Sequence, residues 1–404
     1  MASSGQHDPS AASHDRVPDS FFDYQPRTRV VSGCGVFAKL GELATELGTR
    51  CALLVTDHGL REAGHADRAV SFLQSSGLQT VVYDHVHENP TTDDVNRCVV
   101  FARQHPVDLI VGLGGGSSMD CAKGTNFLLT NGGRMHDYRG VGRATKPMLP
   151  MIAVPTTSGT GSEAQSFAVI ADAETHMKMP CGDPKAACRI ALLDPELTVT
   201  MPRSVAAATG IDAMTHAIES YVTTRRNPMS QMFARQAWGL LARSFTTVLK
   251  DPQNLQARGD MQLGAMLAGA AIENSMLGAA HACANPLTAR FPIVHGVAVG
   301  VMLPHVIRWN SVVAASLYRD LAVSAGWCES TTAEGTAATI LADRFVNFLE
   351  AAEMPVRLNQ AVEQELTDQI LQELAEGATQ QWTGTFNPRK MDRSGFTDLY
   401  RNAI

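Results

Sequence analysis

The first half of the chain alternates short apolar runs with segments of helical spacing. Runs such as "CALLVTD" at 51–57 and "DLIVGL" at 108–113 are short and rich in Leu, Ile and Val, as buried parallel strands are. Between them, apolar residues recur at helical intervals around 66–75 and again after the Thr/Asp start that follows residue 90. This alternation predicts a Rossmann-like domain with a parallel sheet over residues 21–202.

From Arg203 onward the pattern changes to Ala, Leu and Met at helical spacing, with few β-rich runs. The second half, residues 203–404, is therefore predicted to be an all-helical domain. A chain of 404 residues is long enough for two cores, because single cores usually stop growing at about 250 to 300 residues. The polar residues 1–20 lack the apolar core of a signal peptide and predict a disordered arm.

The composition argues against a membrane-spanning protein and against a nucleic-acid-binding protein. Hydrophobic residues make up 45% of the chain, and no run approaches the roughly 18 apolar residues of a membrane span. The net charge of −7 and the absence of a strong basic stripe argue against a nucleic-acid surface. The eight cysteines form no CxxC pair, which predicts reduced thiols in a cytoplasmic protein.

The strongest candidate chemistry lies between Asp212 and His295. In "DAMTH", Asp212 and His216 are four residues apart, so on a helix both side chains leave the same face one turn apart. His281 and His295 could close the same point from two further segments. One carboxylate and three imidazoles suit a divalent ion such as Fe(II), Zn(II), Mn(II) or Co(II). The alternative is a local hydrogen-bonded pair with two unrelated core histidines.

A second candidate follows the strand "DLIVGL". Gly114, Gly115 and Gly116 allow close backbone approach, and Ser117 and Ser118 stand where a helix begins. A helix N-terminus behind glycines offers unpaired N–H groups to a phosphate. Because the run lacks a strict GxGxxG, a plain βα turn is the alternative.

Taken together, several motifs resemble the iron-containing (group III) alcohol dehydrogenase family: "GGGSSMDCAK", "PTTSGTGSE", "ATGIDAMTHAIESY" and "HGVAVGVMLPHV", with a weaker echo in "TGTFNPR". The resemblance implies an α/β domain followed by a helical domain, with the active site in the cleft between them. It implies NAD and a divalent metal, with Fe(II) preferred over Zn(II). The implied metal ligands are Asp212, His216, His281 and His295. The implied NAD-binding residues are Asp57, Asn89, Gly115, Gly116, Ser117, Thr156, Thr157 and Lys178.

The implied reaction moves a hydride between a small alcohol, or its aldehyde or ketone, and the nicotinamide. The metal polarises the oxygen of the substrate, and the protein holds the reacting groups in position. Asp57 stands at a strand end, where an acid accepts hydrogen bonds from the adenosine ribose and repels a 2′-phosphate. NAD is therefore expected over NADP.

One position departs from the family pattern. Many members carry a histidine four residues after the third ligand, whereas this chain has Asn285 in "CANPLT". A neutral amide can hydrogen-bond a substrate or the ribose, but it cannot take up a proton at physiological pH. The catalytic proton path therefore has no assigned residue.

Two alternatives to the dehydrogenase stay open at this point. One is a dehydroquinate-synthase-like or sugar-type activity, which calls for cationic residues around an anionic substrate. The candidates are Arg134, Arg139, Arg143 and Lys146, which are expected to face solvent. The other is a catalytically impaired nucleotide- or metal-binding homologue, suggested by Asn285. A dimer could form through the extended segment at 28–32.

Overall fold

The computed structural model describes residues 22–175 and 177–404, so the arm predicted at 1–20 lies outside the described residues. The strands are β1 (Arg29–Ser32), β2 (Cys51–Val55), β3 (Gln79–Tyr83), β4 (Leu109–Gly114), β5 (Gly140–Val141), β6 (Met151–Pro155), β7 (Phe167–Ala171), β8 (Lys178–Gly182) and β9 (Ile190–Leu193). The helices are α1 (Leu40–Glu46), α2 (His58–Glu62), α3 (His65–Ser75), α4 (Thr92–Ala102), α5 (Gly116–Asn131), α6 (Arg203–Val222), α7 (Pro228–Lys250), α8 (Leu255–Glu273), α9 (Ala279–Arg290), α10 (His295–Ser324), α11 (Glu334–Ala351), α12 (Leu358–Ala361), α13 (Asp368–Thr379) and α14 (Arg393–Asn402).

The main sheet has six parallel strands in the order β1-β9-β6-β4-β2-β3. Strand β2 is buried on both faces of this sheet. Leu53 and Val55 pack into one hydrophobic core, and Ala52 and Leu54 pack into the core on the opposite face. The chain moves from β2 outward to β3 and then returns to the other side of β2 as β4. This reversal creates a crevice at the carboxyl ends of β2 and β4, the usual ligand position in such sheets.

A three-stranded sheet in the order β5-β8-β7 stands beside the main one. Strands β7 and β8 form an antiparallel hairpin, whereas β9, which follows them in the chain, joins the main sheet. The glycine-rich segment at 133–147 contains a 3₁₀ turn (Met135–Tyr138) and β5. The predicted α/β class with a helical second half is thereby confirmed.

Helix α10 is central to the second domain. Within the described residues it is the one helix whose length and composition match a membrane span, yet 61% of its most apolar window is buried inside the protein. It packs against α6, α9 and α11, as the core helix of a globular domain does. Its first residue is His295, which places that side chain beside α6 and α9.

The two halves approach each other closely where the loop after β6 meets α8. A Cβ built on Gly269 would lie 2.2 Å from the carbonyl oxygen of Gly161, and Gly161 itself has a φ of +61°. Both positions therefore depend on having no side chain.

Gly269→Ala is expected to lower the free energy of unfolding by about 2 kcal/mol, because the added methyl group must push two backbones apart. Chemical denaturation of the full chain measures the change. Gly239→Ala in α7 is the matched control, since its Cβ would meet nothing within 4 Å. That variant should be stabilised by about 0.5 to 1 kcal/mol through helix propensity. Equal effects of the two substitutions would contradict the close-approach explanation.

Candidate active site

The glycine-rich loop lies at the crevice between β2 and β4. Gly115 is the residue before α5, and Gly116 and Ser117 form its first turn, so their N–H groups point out of the helix. A Cβ on Gly116 would lie 2.6 Å from Thr160, so only glycine fits there. Ser117 Oγ accepts a hydrogen bond of 3.2 Å from the backbone N–H of Asn89.

Asp57 stands across the same crevice. It caps α2, since its Oδ1 accepts from the backbone N–H of Leu60 at 3.0 Å. Its Oδ2 accepts a long hydrogen bond of 3.5 Å from Ser118 Oγ. The acid at the end of β2 is thus held directly beside the start of α5.

The predicted dinucleotide and metal residues line one cleft of about 2510 Å³. From the first domain come Asp57, Asn89, Gly115, Gly116, Ser117, Thr156, Thr157 and Lys178, and from the second come Asp212, His216, His281, Asn285 and His295. Burial lowers the pKa of Lys178, which lies within electrostatic range of Asp212. The structure therefore brings together residues that are far apart in sequence.

The imidazoles of three histidines converge on one oxygen of Asp212. Asp212 Oδ1 lies 3.5 Å from His216 Nε2, 3.4 Å from His281 Nε2 and 3.8 Å from His295 Nε2. Asp212, His216 and His281 form the tightest group, with ligand atoms within 4.8 Å of one another. The side chain of His295 is 27% exposed and faces the cleft. These four residues, called the quartet below, are therefore buried on one side and open to the cleft on the other.

The donor set fits a divalent cation. Asp212 Oδ1 and His281 Nε2 are buried, and neither has a hydrogen-bond partner of good geometry among the described residues. Leaving such atoms unpaired costs about 1 to 3 kcal/mol each. Burial alone would raise the pKa of Asp212, but the surrounding imidazoles hold it below its usual range. An ionised carboxylate facing imidazole nitrogens is a ligand set for Fe(II) or Zn(II).

Glu219 orients His281, a role that we did not predict from the sequence. His281 Nδ1 donates to Glu219 Oε2 at 2.6 Å, and the backbone N–H of Ala280 donates to the other carboxylate oxygen at 2.7 Å. This contact leaves Nε2 of His281 facing Asp212. Carboxylates commonly orient metal-binding histidines in this way. The sequence spacing could have indicated this role, because Glu219 follows Asp212 by seven residues and so lies on the same face of the helix.

The "TGTFNPR" segment also contributes. Asn387 Oδ1 accepts from the backbone N–H of Ala279 at 3.3 Å and from Asn310 Nδ2 at 2.9 Å, while its own Nδ2 donates to Asn310 Oδ1 at 2.7 Å. These hydrogen bonds connect the N-terminus of α9 to α10. The helices that carry His281 and His295 are therefore held together by a buried amide pair.

The basic residues considered for an anionic substrate lie at the surface. Arg134, Arg139, Arg143 and Lys146 are all exposed, and of these only Arg139 and Arg143 reach the lining of the cleft. An arginine or lysine in water attracts an anion weakly. These four residues therefore do not form the cationic wall that the sugar-type alternative calls for.

Comparison with known proteins agrees with this geometry. Residues 26–195 match the family "Iron-containing alcohol dehydrogenase", and residues 206–404 match "Fe-containing alcohol dehydrogenase family, C-terminal". The chain belongs to the iron-containing alcohol dehydrogenase family. It is 33% identical to a 1,3-propanediol dehydrogenase of Klebsiella pneumoniae over 390 residues, which cover 95% of this chain and 99% of that one.

A second relative is the NAD-dependent methanol dehydrogenase of Bacillus methanolicus. It is 31% identical over 375 residues, covering 93% of this chain and 97% of the relative. Among solved structures, that of a 1,3-propanediol oxidoreductase is 32% identical, with a TM-score of 0.92 over 95% of this chain and 100% of that one. The chain is thus an alcohol dehydrogenase of the iron-containing type along nearly its whole length.

In this iron-containing alcohol dehydrogenase, Asn285 lies on the cleft wall one turn after His281. Its Nδ2 donates to Gln381 Oε1 at 2.9 Å. An amide so placed can hold a polar group but carries no titratable proton. The structure gives the position of Asn285 and leaves the catalytic proton path without an assigned side chain.

The metal affinity of this dehydrogenase is expected to rise with pH. Burial lowers the pKa of His281, but the flanking carboxylates of Asp212 and Glu219 outweigh it and raise that pKa to about 9. Burial keeps the pKa of His216 and of His295 below the usual value, so both are neutral. One proton, on His281, therefore has to leave when a cation binds.

Below about pH 9, the apparent affinity should rise about tenfold per pH unit, since one proton is displaced for each cation. Titration of the metal-free protein with Zn(II) against a competing chelator at pH 6, 7 and 8 measures the slope. A flat profile over this range would show that His281 is already neutral.

Proposed function

We propose that this protein is an NAD-dependent, divalent-metal-dependent dehydrogenase that interconverts a small alcohol and its aldehyde or ketone. The observation that carries the proposal is the convergence of three histidine Nε2 atoms on Asp212 Oδ1 in the cleft that also contains Gly115, Gly116 and Ser117. The names of the relatives include methanol, choline and long-chain alcohol dehydrogenases, so the family alone does not fix the alcohol.

Each domain contributes one part of the proposed machinery. The domain at 21–202 holds the dinucleotide, with N–H groups of Gly116 and Ser117 directed at phosphate and Asp57 at the adenosine ribose. The domain at 203–404 holds the cation through the quartet. When bound there, Fe(II) or Zn(II) would supply Lewis acidity toward the substrate oxygen, and NAD would supply the hydride acceptor or donor for the substrate carbon.

The residues of the chain mainly position the metal ligands and keep water out of the cleft. Glu219 keeps Nε2 of His281 directed at the cation site, and Asp212 stays ionised to balance the positive charge. Apolar side chains of Ile272, Met276 and Leu277 line the same cleft and limit the access of water. The amide of Asn285 cannot take up a proton at physiological pH, so proton transfer does not use this side chain.

The proposal is tested by metal analysis of protein purified without chelator, together with NADH absorbance during incubation with short alcohols and diols. Near-stoichiometric metal and NADH formation that depends on added Fe(II) or Zn(II) are expected. Protein without metal, whose stability does not respond to a chelator, would favour the catalytically impaired homologue instead. Metal without oxidation of any alcohol would overturn the proposed reaction.

Asp57→Asn is expected to weaken the preference for NAD over NADP by about tenfold, because the negative charge that repels the 2′-phosphate is removed. Asn still caps a helix, so α2 should stay in place. The ratio of kcat/KM values for the two dinucleotides measures the effect. An unchanged ratio would place the ribose away from Asp57.

The proposed assembly is a cytoplasmic homodimer. Strand β1 lies at the edge of the main sheet and, within residues 22–175 and 177–404, pairs only with β9, so its other edge is proposed to pair with a second copy. All eight cysteines are free, as expected in a reducing compartment. Light scattering coupled to size-exclusion chromatography distinguishes the dimer from a monomer.

A further inference from the structure

Helix α5, which follows the glycine-rich loop, carries a completely buried lysine. Lys123 lies seven residues after Gly116, within the same helix. Its Nζ is within hydrogen-bond distance of four oxygens: Ser162 O at 2.6 Å, Ser162 Oγ at 2.8 Å, Gln165 O at 2.8 Å and Phe167 O at 3.0 Å. A buried ammonium group is costly unless such partners replace the water that it has lost. Lys123 therefore binds the loop after β6 to α5.

The same loop packs directly on the glycine-rich loop. A Cβ built on Gly116 would lie 2.6 Å from Cγ2 of Thr160. Gln165 Nε2 donates to the carbonyl oxygen of Thr160 at 2.7 Å, and the backbone N–H of Ser162 donates to Thr160 Oγ1 at 3.3 Å. Two of the residues that Lys123 contacts are thus the two that hold Thr160 in place. A displacement of the ammonium group would be transmitted to Gly116 through these contacts.

Two carboxylates lie within electrostatic range of the buried ammonium group. Burial raises the pKa of Asp120 and of Glu163, and the positive charge of Lys123 opposes this rise. Asp120 Oδ1 accepts a hydrogen bond of 2.9 Å from Ser162 Oγ, and the same hydroxyl oxygen accepts from Lys123. The protein itself therefore supplies the negative charge that a buried cation needs.

The four oxygens resemble a binding site for a monovalent cation. Three of them are main-chain carbonyl oxygens, the groups that replace the water shell of K⁺ in selective channels. The fourth is a hydroxyl oxygen, which accepts a hydrogen bond equally well. The side chain of Lys123 thus places a tethered ammonium group in a cage that a free cation of similar size could fill.

We propose that Lys123 is a positioning residue for the dinucleotide, a tethered cation that organises the loop after β6 so that Gly116 and Ser117 can receive the phosphates. The inference rests on the proposed NAD-dependent function and names the residue that preorganises its phosphate site. Lys123 acts through the loop, because a completely buried ammonium group touches neither substrate nor cofactor. Its loss should weaken dinucleotide binding and leave the quartet unchanged, since other helices carry the quartet.

Lys123→Ala removes the ammonium group, while alanine keeps the helix propensity of α5 high. The Kd of NADH, measured by fluorescence on the full chain without alcohol, should rise about tenfold, because the charged contact that positions the loop is lost. The affinity for Zn(II), measured against a chelator, should stay the same. Propylammonium supplies the atoms that alanine lacks and should restore NADH binding. Tetramethylammonium has no N–H donor and, at equal ionic strength, should not restore it.

Lys123→Met tests the same role without leaving a cavity. Methionine keeps most of the side-chain volume, so this variant should fold even if Lys123→Ala does not. It should bind NADH as weakly as the alanine variant, yet propylammonium should have no effect, because the methionine side chain fills the space. Lys146→Met is the matched control, since this lysine is exposed. Its Kd for NADH should equal that of the unaltered protein.

Three results would overturn the inference. The first is unchanged NADH binding in both Lys123 variants, and the second is an equal loss of NADH and Zn(II) affinity, which would indicate general damage to the fold. The third is a loss in Lys123→Ala that propylammonium does not reverse, because the oxygen cage would then not act as a cation site. If the unaltered protein binds no NADH at all, the proposed function itself fails, a result distinct from a loss confined to the variants.

Discussion

Asp212→Asn should remove nearly all bound metal and lower alcohol oxidation by about a thousandfold. The substitution keeps the shape of the side chain but removes the negative charge on which three imidazoles converge. Loss of a Lewis acid removes several kcal/mol of transition-state stabilisation, which corresponds to roughly that factor in rate. Metal content after dialysis and NADH formation measure the two effects.

Asp120→Asn provides the control for this variant. Asp120 is also a carboxylate of the cleft, but it accepts a hydrogen bond from Ser162 in the first domain at 2.9 Å and contacts none of the quartet. Its metal content should match that of the unaltered protein. If Asp212→Asn retained full metal, the cation would have to lie elsewhere in the cleft.

Glu219→Gln should weaken metal binding by about 10- to 100-fold, the usual effect of losing a carboxylate that orients a ligand histidine. A glutamine cannot accept from both His281 Nδ1 and the backbone N–H of Ala280, because one of its two terminal atoms is a donor. His281 would then favour the tautomer with a proton on Nε2, the atom directed at Asp212. Zn(II) affinity measured against a chelator quantifies the loss.

The same variant should change the pH profile. Glu219 helps to raise the pKa of His281, so its loss should move the rise in metal affinity to lower pH. Glu273→Gln is the matched control, because this carboxylate also accepts from a backbone N–H and a hydroxyl, both of Ser166, away from the quartet. A similar loss of affinity in both variants would point to general damage instead of orientation.

Much of the fold follows from local pattern. The short apolar runs at 51–57 and 108–113 became β2 and β4, because a strand buried on both faces has to be apolar throughout. The helix that begins at His295 and the i, i+4 spacing of Asp212 and His216 were likewise predictable, since both depend only on helix periodicity. These features need no knowledge of distant contacts.

Other features depend on contacts that sequence order does not reveal. Glu219 was missed because its partner, His281, comes 62 residues later and on another helix. Gln381, which pairs with Asn285 across 96 residues, was missed for the same reason. The short helix α2 was also missed, since it contains only five residues and depends on N-capping by the side chain of Asp57. Such roles are set by packing, for which a single sequence gives no direct signal.

All four histidine and aspartate groups of the quartet belong to α6, α9 and α10, whereas the glycine-rich loop belongs to the sheet domain. A hinge motion that opens the cleft would thus move the loop away from the quartet without altering the spacing within either. The dinucleotide could then exchange in every catalytic cycle while the cation stays in place. The two ligands would have very different residence times, one matched to turnover and the other to the lifetime of the folded protein.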